Sequence, residues 1–138
     1  MQTISLSIKK SSKKTISFVP TMGALHDGHL ALIKKAKKVG EVVVVSIFVN
    51  PKQFSDKKDL DNYPSSMKDD IRKLRALSVD YLFLPEINEL YNPEFQTKVT
   101  VDEFQKHLCG IFRKNHFDGV TTIVLKLLNI VIPDTAIF

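Results

Sequence analysis

Apolar residues along this chain fall into two periods, and the alternation between the periods predicts the architecture. Residues 15–19 form a short apolar run closed by Pro20, read as a buried strand. From Gly28 to about Val39 the apolar positions Leu32, Ile33, Ala36 and Val39 recur at helical spacing, and Gly40 is placed to stop the helix. "VVVVSIFVN" is then continuously apolar and rich in β-branched residues, the mark of a strand covered on both faces, with Pro51 closing it. A second helix opens at Tyr63 and Pro64, with Met67, Ile71, Leu74 and Leu77 or Ser78 in period. "DYLFLP" predicts a third buried strand. Residues 85–117 are less regular, with a strand expected in "TKVTV" and a short helix near residues 102–108. Val120, Ile123, Val124, Leu127, Leu128 and Val131 mark an amphipathic helix from Gly119, with Asp118 and Asn115 sharing its N-cap. Pro133 ends it, and "TAIF" begins another strand.

Strand–helix–strand–helix–strand followed by helix–strand predicts an α/β fold with a doubly wound parallel sheet. No repeat or low-complexity linker interrupts the pattern, and 138 residues fit a single domain over residues 1–138. The pattern stops at Phe138 inside a strand, so the expectation is a chain truncated at its C-terminus.

Composition narrows the function classes. Apolar residues make up 43% and charged residues 25%, ordinary for a globular protein. The single cysteine, Cys109, has no partner for an internal disulfide, and the expected compartment is the cytoplasm. The longest apolar run falls far short of the roughly 20 residues needed to cross a bilayer, so no membrane partner is expected. The net charge of +5 fits either nucleic acid or small anionic ligands. The lysines in "KKSSKK" and "KKAKK" carry few interleaved aromatics, and the second group reads as a solvated helix face; no nucleic-acid partner is expected.

Candidate chemistry concentrates in "PTMGALHDGH", at the end of the first strand pattern. In doubly wound sheets, ligands bind beyond the carboxyl ends of the strands, near the reversal of strand order. Gly23 and Gly28 allow close backbone approach, and a helix start favours phosphate. His26 and His29 lie close across the first turn and can donate to one anion. His29 also lies three and four residues before Leu32 and Ile33, the spacing of a core histidine. Zinc is disfavoured, because only two histidines cluster and Cys109 is distant.

"HDGH" is similar to the HIGH motif of nucleotidyl-transferring enzymes. The longer "PTMGALHDGH", followed in order by "SIFVNPKQF", "YP", "DD" and "HFDGV", resembles the pantothenate synthetase family over nearly the whole chain after about Ser17. The resemblance implies a Rossmann-like HIGH-motif nucleotidyltransferase fold and the ATP-dependent condensation of pantoate with β-alanine through a pantoyl adenylate. Met22, Gly23, Ala24, Leu25, His26, Asp27, Gly28 and His29 would hold ATP, with His26 and His29 catalytic. Gln53, Phe48, Asn50, Arg113 and His116 would bind pantoate and β-alanine, although Phe48 fits a core position equally. Asp69 and Asp70 match an acidic pair near magnesium and pyrophosphate; they also fit first-turn helix acids. A homodimer is implied too. The family continues past the position of Phe138 with a GEKDxQQ segment and a C-terminal domain, so this chain alone is expected to be inactive or weakly active. Two alternatives stay open: another HxGH nucleotidyltransferase, or a non-catalytic basic binding module.

Overall fold

A computed structural model describes residues 1–4, 14–103, 113 and 115–138. Five parallel strands form one sheet in the order β1-β4-β3-β2-β5: β1 (Gln2–Ile4), β2 (Ile16–Thr21), β3 (Val42–Ile47), β4 (Tyr81–Phe83) and β5 (Thr135–Ala136). The expected helices follow as α1 (Asp27–Val39), α3 (Met67–Ala76) and α5 (His116–Val131), with α3 opening at Met67 rather than at Tyr63 and Pro64. Two short helices, α2 (Lys57–Asp61) and α4 (Ile87–Leu90), and a 3₁₀ turn, Pro51–Gln53, add to them. They are too short to show a period, which is why no pattern announced them.

The strands divide their side chains between two faces, as a period of two requires. Val19, Val43, Val45, Ile47 and Leu82 pack with Ile33 and Ala36 of α1 and Leu74 of α3. Ile16, Phe18, Val44 and Phe83 pack with Ile123, Leu127 and Val131 of α5 on the other face. Helices therefore cover both faces, as the doubly wound reading expects. Val39, the last residue of α1, is exposed rather than part of its buried stripe. Lys34, Lys35, Lys37 and Lys38 of α1 are exposed, the solvated face expected of "KKAKK".

Further sequence expectations change. Pro20 does not end β2, which continues to Thr21. Along β2, alternate residues turn to β3 and to β5; Phe18 accepts from Ile137 on the β5 side, so Pro20 faces that side too. Its missing N–H falls beyond Ser17 and Phe18, the residues β5 pairs. "TKVTV" forms no strand of the sheet. Val99 N–H instead donates to Thr122 Oγ1 at 2.9 Å, and Val101 N–H donates to Asp118 Oδ1 at 3.3 Å. Asp118 is not an N-cap: α5 begins two residues earlier, after Asn115 in the left-handed region. Asp118 is buried in the first turn and pairs with Lys98 at 2.9 Å. Cys109 and most of the short helix expected near residues 102–108 lie outside the described residues.

The topology places the site. From β2 the chain steps to β3 and β4 on one side, whereas β5 pairs β2 on the other. The order reverses at β2, so a crevice opens beyond its carboxyl end.

Candidate active site

β2 delivers the chain into a turn whose backbone is set by glycine and by a distant carboxylate. Gly23 has φ +83° and Ala24 φ +50°, both in the left-handed region. A Cβ at Gly23 would sit 3.1 Å from Asp70 Oδ2. The turn sends Leu25 into the core and aims two amides at Asp70: Ala24 N–H donates at 2.9 Å and Leu25 N–H at 2.8 Å. Ser66 Oγ donates to the same carboxylate at 3.2 Å. Asp70 is only 1% exposed and reaches the loop from the first turn of α3.

The two histidines then start α1. His26 is the N-cap residue, and its Nδ1 accepts from Gly28 N–H at 3.2 Å. His29 Nδ1 accepts from His26 N–H at 3.3 Å, completing a reciprocal capping box built from imidazoles. The ring centroids lie 4.1 Å apart. Because both Nδ1 atoms accept, both neutral rings carry their proton on Nε2, leaving two N–H donors for a ligand. His26 is exposed, while His29 is half-buried and lines an open cavity rather than the core.

Burial lowers the His29 pKa, the His26 ring lowers it further, and Asp70 partly opposes both. The folded state thus binds fewer protons here than the unfolded chain as pH falls through the ordinary histidine range. The expected outcome is a stability contribution present above the unfolded pKa near 6.5 and lost as pH drops from there towards the lower folded value. Urea midpoints measured between pH 5 and 8 should show this slope, and His29→Gln should flatten it.

His29 shares a cavity of about 240 Å³ with Met22, Phe48, Asn50 and Gln53. Its apolar wall comes from Val120, Ile123, Val124 and Leu127 of α5. A second cleft of about 600 Å³ holds Arg113 and His116 and shares Met22, Gln53 and Tyr63 with the first. The two are therefore contiguous, with Gln53 between them. His116 Nδ1 lies 2.8 Å from Gln53 O; a carbonyl only accepts, so the imidazole must carry its proton on Nδ1. Gly119 brings α5 against the 3₁₀ turn, where a Cβ would lie 2.4 Å from Lys52 O.

Not every expected site residue presents itself to this space. Gly23, Ala24 and Leu25 stand behind it in the Asp70 clamp, and Asp27 and Gly28 are exposed in the first turn of α1. Asn50 lines the cavity but is 1% exposed, with its amide committed to protein partners. The acidic pair does not converge. Asp70 spends its oxygens on the loop, while Asp69 is exposed and held below the usual carboxylate range by Lys73 and Arg72. So engaged, the two carboxylates do not fit a magnesium site, and no step is assigned to the ion at this pair. Among the described residues no group of three His, Cys, Asp or Glu could hold a metal.

Sequence reasoning missed the cavity's apolar wall. The period of α5 marked Val120, Ile123, Val124 and Leu127 as inward-facing, but that signal cannot separate a core from a cavity wall. Tyr63, expected at the start of the second helix, borders both spaces and packs edge-on against Phe54 at 5.7 Å.

The family model described as Pantoate-beta-alanine ligase matches residues 1–138. The chain belongs to this family. It is 54% identical over 125 residues to the pantothenate synthetase of Thermodesulfovibrio yellowstonii, covering 91% of this chain and 45% of that relative. It is 52% identical over 138 residues to the pantothenate synthetase of a Sulfurihydrogenibium species, covering 100% of this chain and 49% of the relative. Among solved structures, a pantoate-beta-alanine ligase from Francisella tularensis, complexed with beta-gamma ATP and beta-alanine, superposes with a TM-score of 0.87 at 46% identity. That superposition covers 90% of this chain and 48% of the other. The pantothenate synthetase of Thermus thermophilus superposes with a TM-score of 0.91 at 38% identity, covering 99% and 51%. The chain spans about half the length of the relatives it matches. No helix among the described residues is long and apolar enough to cross a membrane.

Proposed function

We propose that this chain is the nucleotide- and pantoate-binding part of a pantothenate synthetase, contributing to ATP-dependent joining of pantoate and β-alanine. The observation that carries this is the meeting of His29 and Gln53 on one cavity beyond the carboxyl ends of β2 and β3.

ATP phosphates rest against the start of α1, where the helix dipole and the Nε2–H groups of His26 and His29 favour negative charge. Pantoate lies in the 240 Å³ cavity, its gem-dimethyl group against Val120, Ile123 and Val124 and its oxygens near Gln53. A pantoate carboxylate oxygen attacks the α-phosphorus, forming the O–P bond of pantoyl adenylate as pyrophosphate leaves. The His29 Nε2–H stabilises charge growing on the phosphate oxygens. β-Alanine occupies the adjoining cleft with its carboxylate near Arg113, whose planar fork suits that group. Its amine attacks the acyl carbon, AMP departs with the bonding pair, and the nitrogen loses a proton. Both nucleophiles arrive with the substrates, so the chain's task is alignment and charge stabilisation. Magnesium is not placed at Asp69 and Asp70. A homodimer in the cytoplasm, with no nucleic-acid or membrane partner, completes the proposal.

The test is a side-by-side titration of the isotope-labelled chain with ATP, pantoate and phosphopantetheine. ATP is expected to shift His26–His29 signals and pantoate those of Gln53 and Ile123. A response of Gln53 to phosphopantetheine but not to pantoate would overturn the assignment. His29→Ala should weaken ATP binding more than pantoate binding.

A further inference from the structure

Tyr91 follows α4, outside both cavities, and is buried at 7% exposure. Its ring packs edge-on to Phe95 at 5.0 Å, lies 6.4 Å from Phe48, and sits below Lys126 Nζ at 5.5 Å. Its hydroxyl donates to Asn50 Oδ1 at 2.8 Å. Burial pushes the phenol up to about 12, so the group keeps its proton across the physiological range.

Asn50 passes this bond on in one sense only. Its Oδ1 also accepts from Lys52 N–H at 3.2 Å, and a backbone amide cannot act as acceptor. Its Nδ2 donates to Gly119 O at 3.0 Å, and a carbonyl cannot donate. The Asn50 amide therefore has a single orientation, and its second N–H goes to Gln53 Oε1 at 3.1 Å. That engages one of the two lone pairs of the Gln53 amide oxygen and fixes which end of the amide is which. The nitrogen end faces Met22 Sδ at 3.1 Å, a weak acceptor on the wall of both cavities.

We propose that Tyr91 is a positioning residue for the cleft: through Asn50 it holds Gln53 with an N–H donor toward the ligand space, so the group received there is a substrate oxygen. The proposal rests on the pantoate assignment above only for the identity of that oxygen, a carboxylate or hydroxyl. The ordering of Gln53 is a property of the chain itself. The Met22 sulfur is a weak acceptor, so the Gln53 N–H leaves it readily for an oxygen, which makes this the adaptable end of the network.

The test reads the side-chain amide signals of Asn50 and Gln53 in the labelled chain, with and without ligand. Tyr91→Phe keeps the ring and its packing and removes one oxygen. Without ligand it should shift and broaden the Gln53 signals while leaving the backbone amides of Asp27–His29 unmoved. With pantoate it should weaken binding by roughly 2–10-fold, the range for one net hydrogen bond, with ATP affinity unchanged. Gln53→Glu keeps an acceptor for Asn50, loses the donor and adds a negative charge beside the pantoate carboxylate, so it should weaken pantoate more than Tyr91→Phe does. Unchanged Gln53 signals in Tyr91→Phe, equal weakening of pantoate and ATP, or pantoate affinity retained by Gln53→Glu would each overturn the proposal. If the unaltered chain does not take up pantoate, the functional assignment fails by itself, and the ligand-free signals still decide the role of Tyr91.

Discussion

Replacing Asp70 with alanine is expected to cost about 2–5 kcal/mol of stability, because two backbone N–H groups lose their acceptor at once. Leu25 is 2% exposed, so its amide cannot turn to water without opening the core. Each amide left unpaired costs roughly 1–3 kcal/mol, and Ser66 loses its partner as well. The left-handed backbone at Gly23 and Ala24 is then held by less, since a non-glycine residue at positive φ persists only where its surroundings enforce it. His26 follows the clamped Leu25 directly, so ATP affinity should fall together with stability. The neighbouring Asp69→Ala is the control. Asp69 is exposed and paired only with Arg72 and Lys73, and its loss should change little. Urea denaturation of both variants checks the contrast, and equal midpoints for the two would refute the clamp.

Gly119→Ala is expected to destabilise the chain by about 1–3 kcal/mol and to weaken pantoate binding. In an ordinary helix this change gains about 1 kcal/mol, because alanine is the better helix former. Here the sign reverses. The new methyl would stand 2.4 Å from Lys52 O, 2.6 Å from Lys52 C and 2.7 Å from Gln53 Cα, all backbone atoms of the 3₁₀ turn. None can rotate away, so α5 must retreat from the turn. The bond from Asn50 Nδ2 to Gly119 O stretches with it, and Gln53 loses its register against the cavity. Thermal melts and a pantoate titration check both effects; a raised melting temperature would show that the turn yields.

Much of the fold was legible because its signals are local. Val42–Ile47 is apolar at every position but one, and only a strand covered on both faces tolerates that. The period of α5 showed its inward stripe, and Pro133 marked the end. The strand expected in "TKVTV" went wrong for an equally physical reason. Alternating Thr and Val fit any extended segment, and nothing local says whether its amides meet a neighbouring strand or, as here, the Thr122 hydroxyl and Asp118. The expected N-cap at Asp118 failed similarly, since a carboxylate near a helix start fits a cap and a first-turn ion pair alike.

In the site, "HDGH" and "NPKQF" pointed to His26, His29 and Gln53 because the motifs are contiguous and dense in chemistry. The acidic pair could not be read in the same way. Identical residues side by side on α3 meet opposite fates, one solvated beside Arg72 and Lys73, the other buried under a loop 45 residues earlier in the chain.

By itself the sequence determined the alternation of strands and helices, the parallel sheet and the place of the turn that carries His26 and His29. Those follow from side-chain period and backbone preference over a few residues. Only the tertiary structure decided that Asp70 clamps that turn, that α5 walls a cavity, and that Tyr91 reaches Gln53 through Asn50. Each of these joins residues 25 or more positions apart, and a burial or a hydrogen bond at that range exists only once the chain has closed on itself.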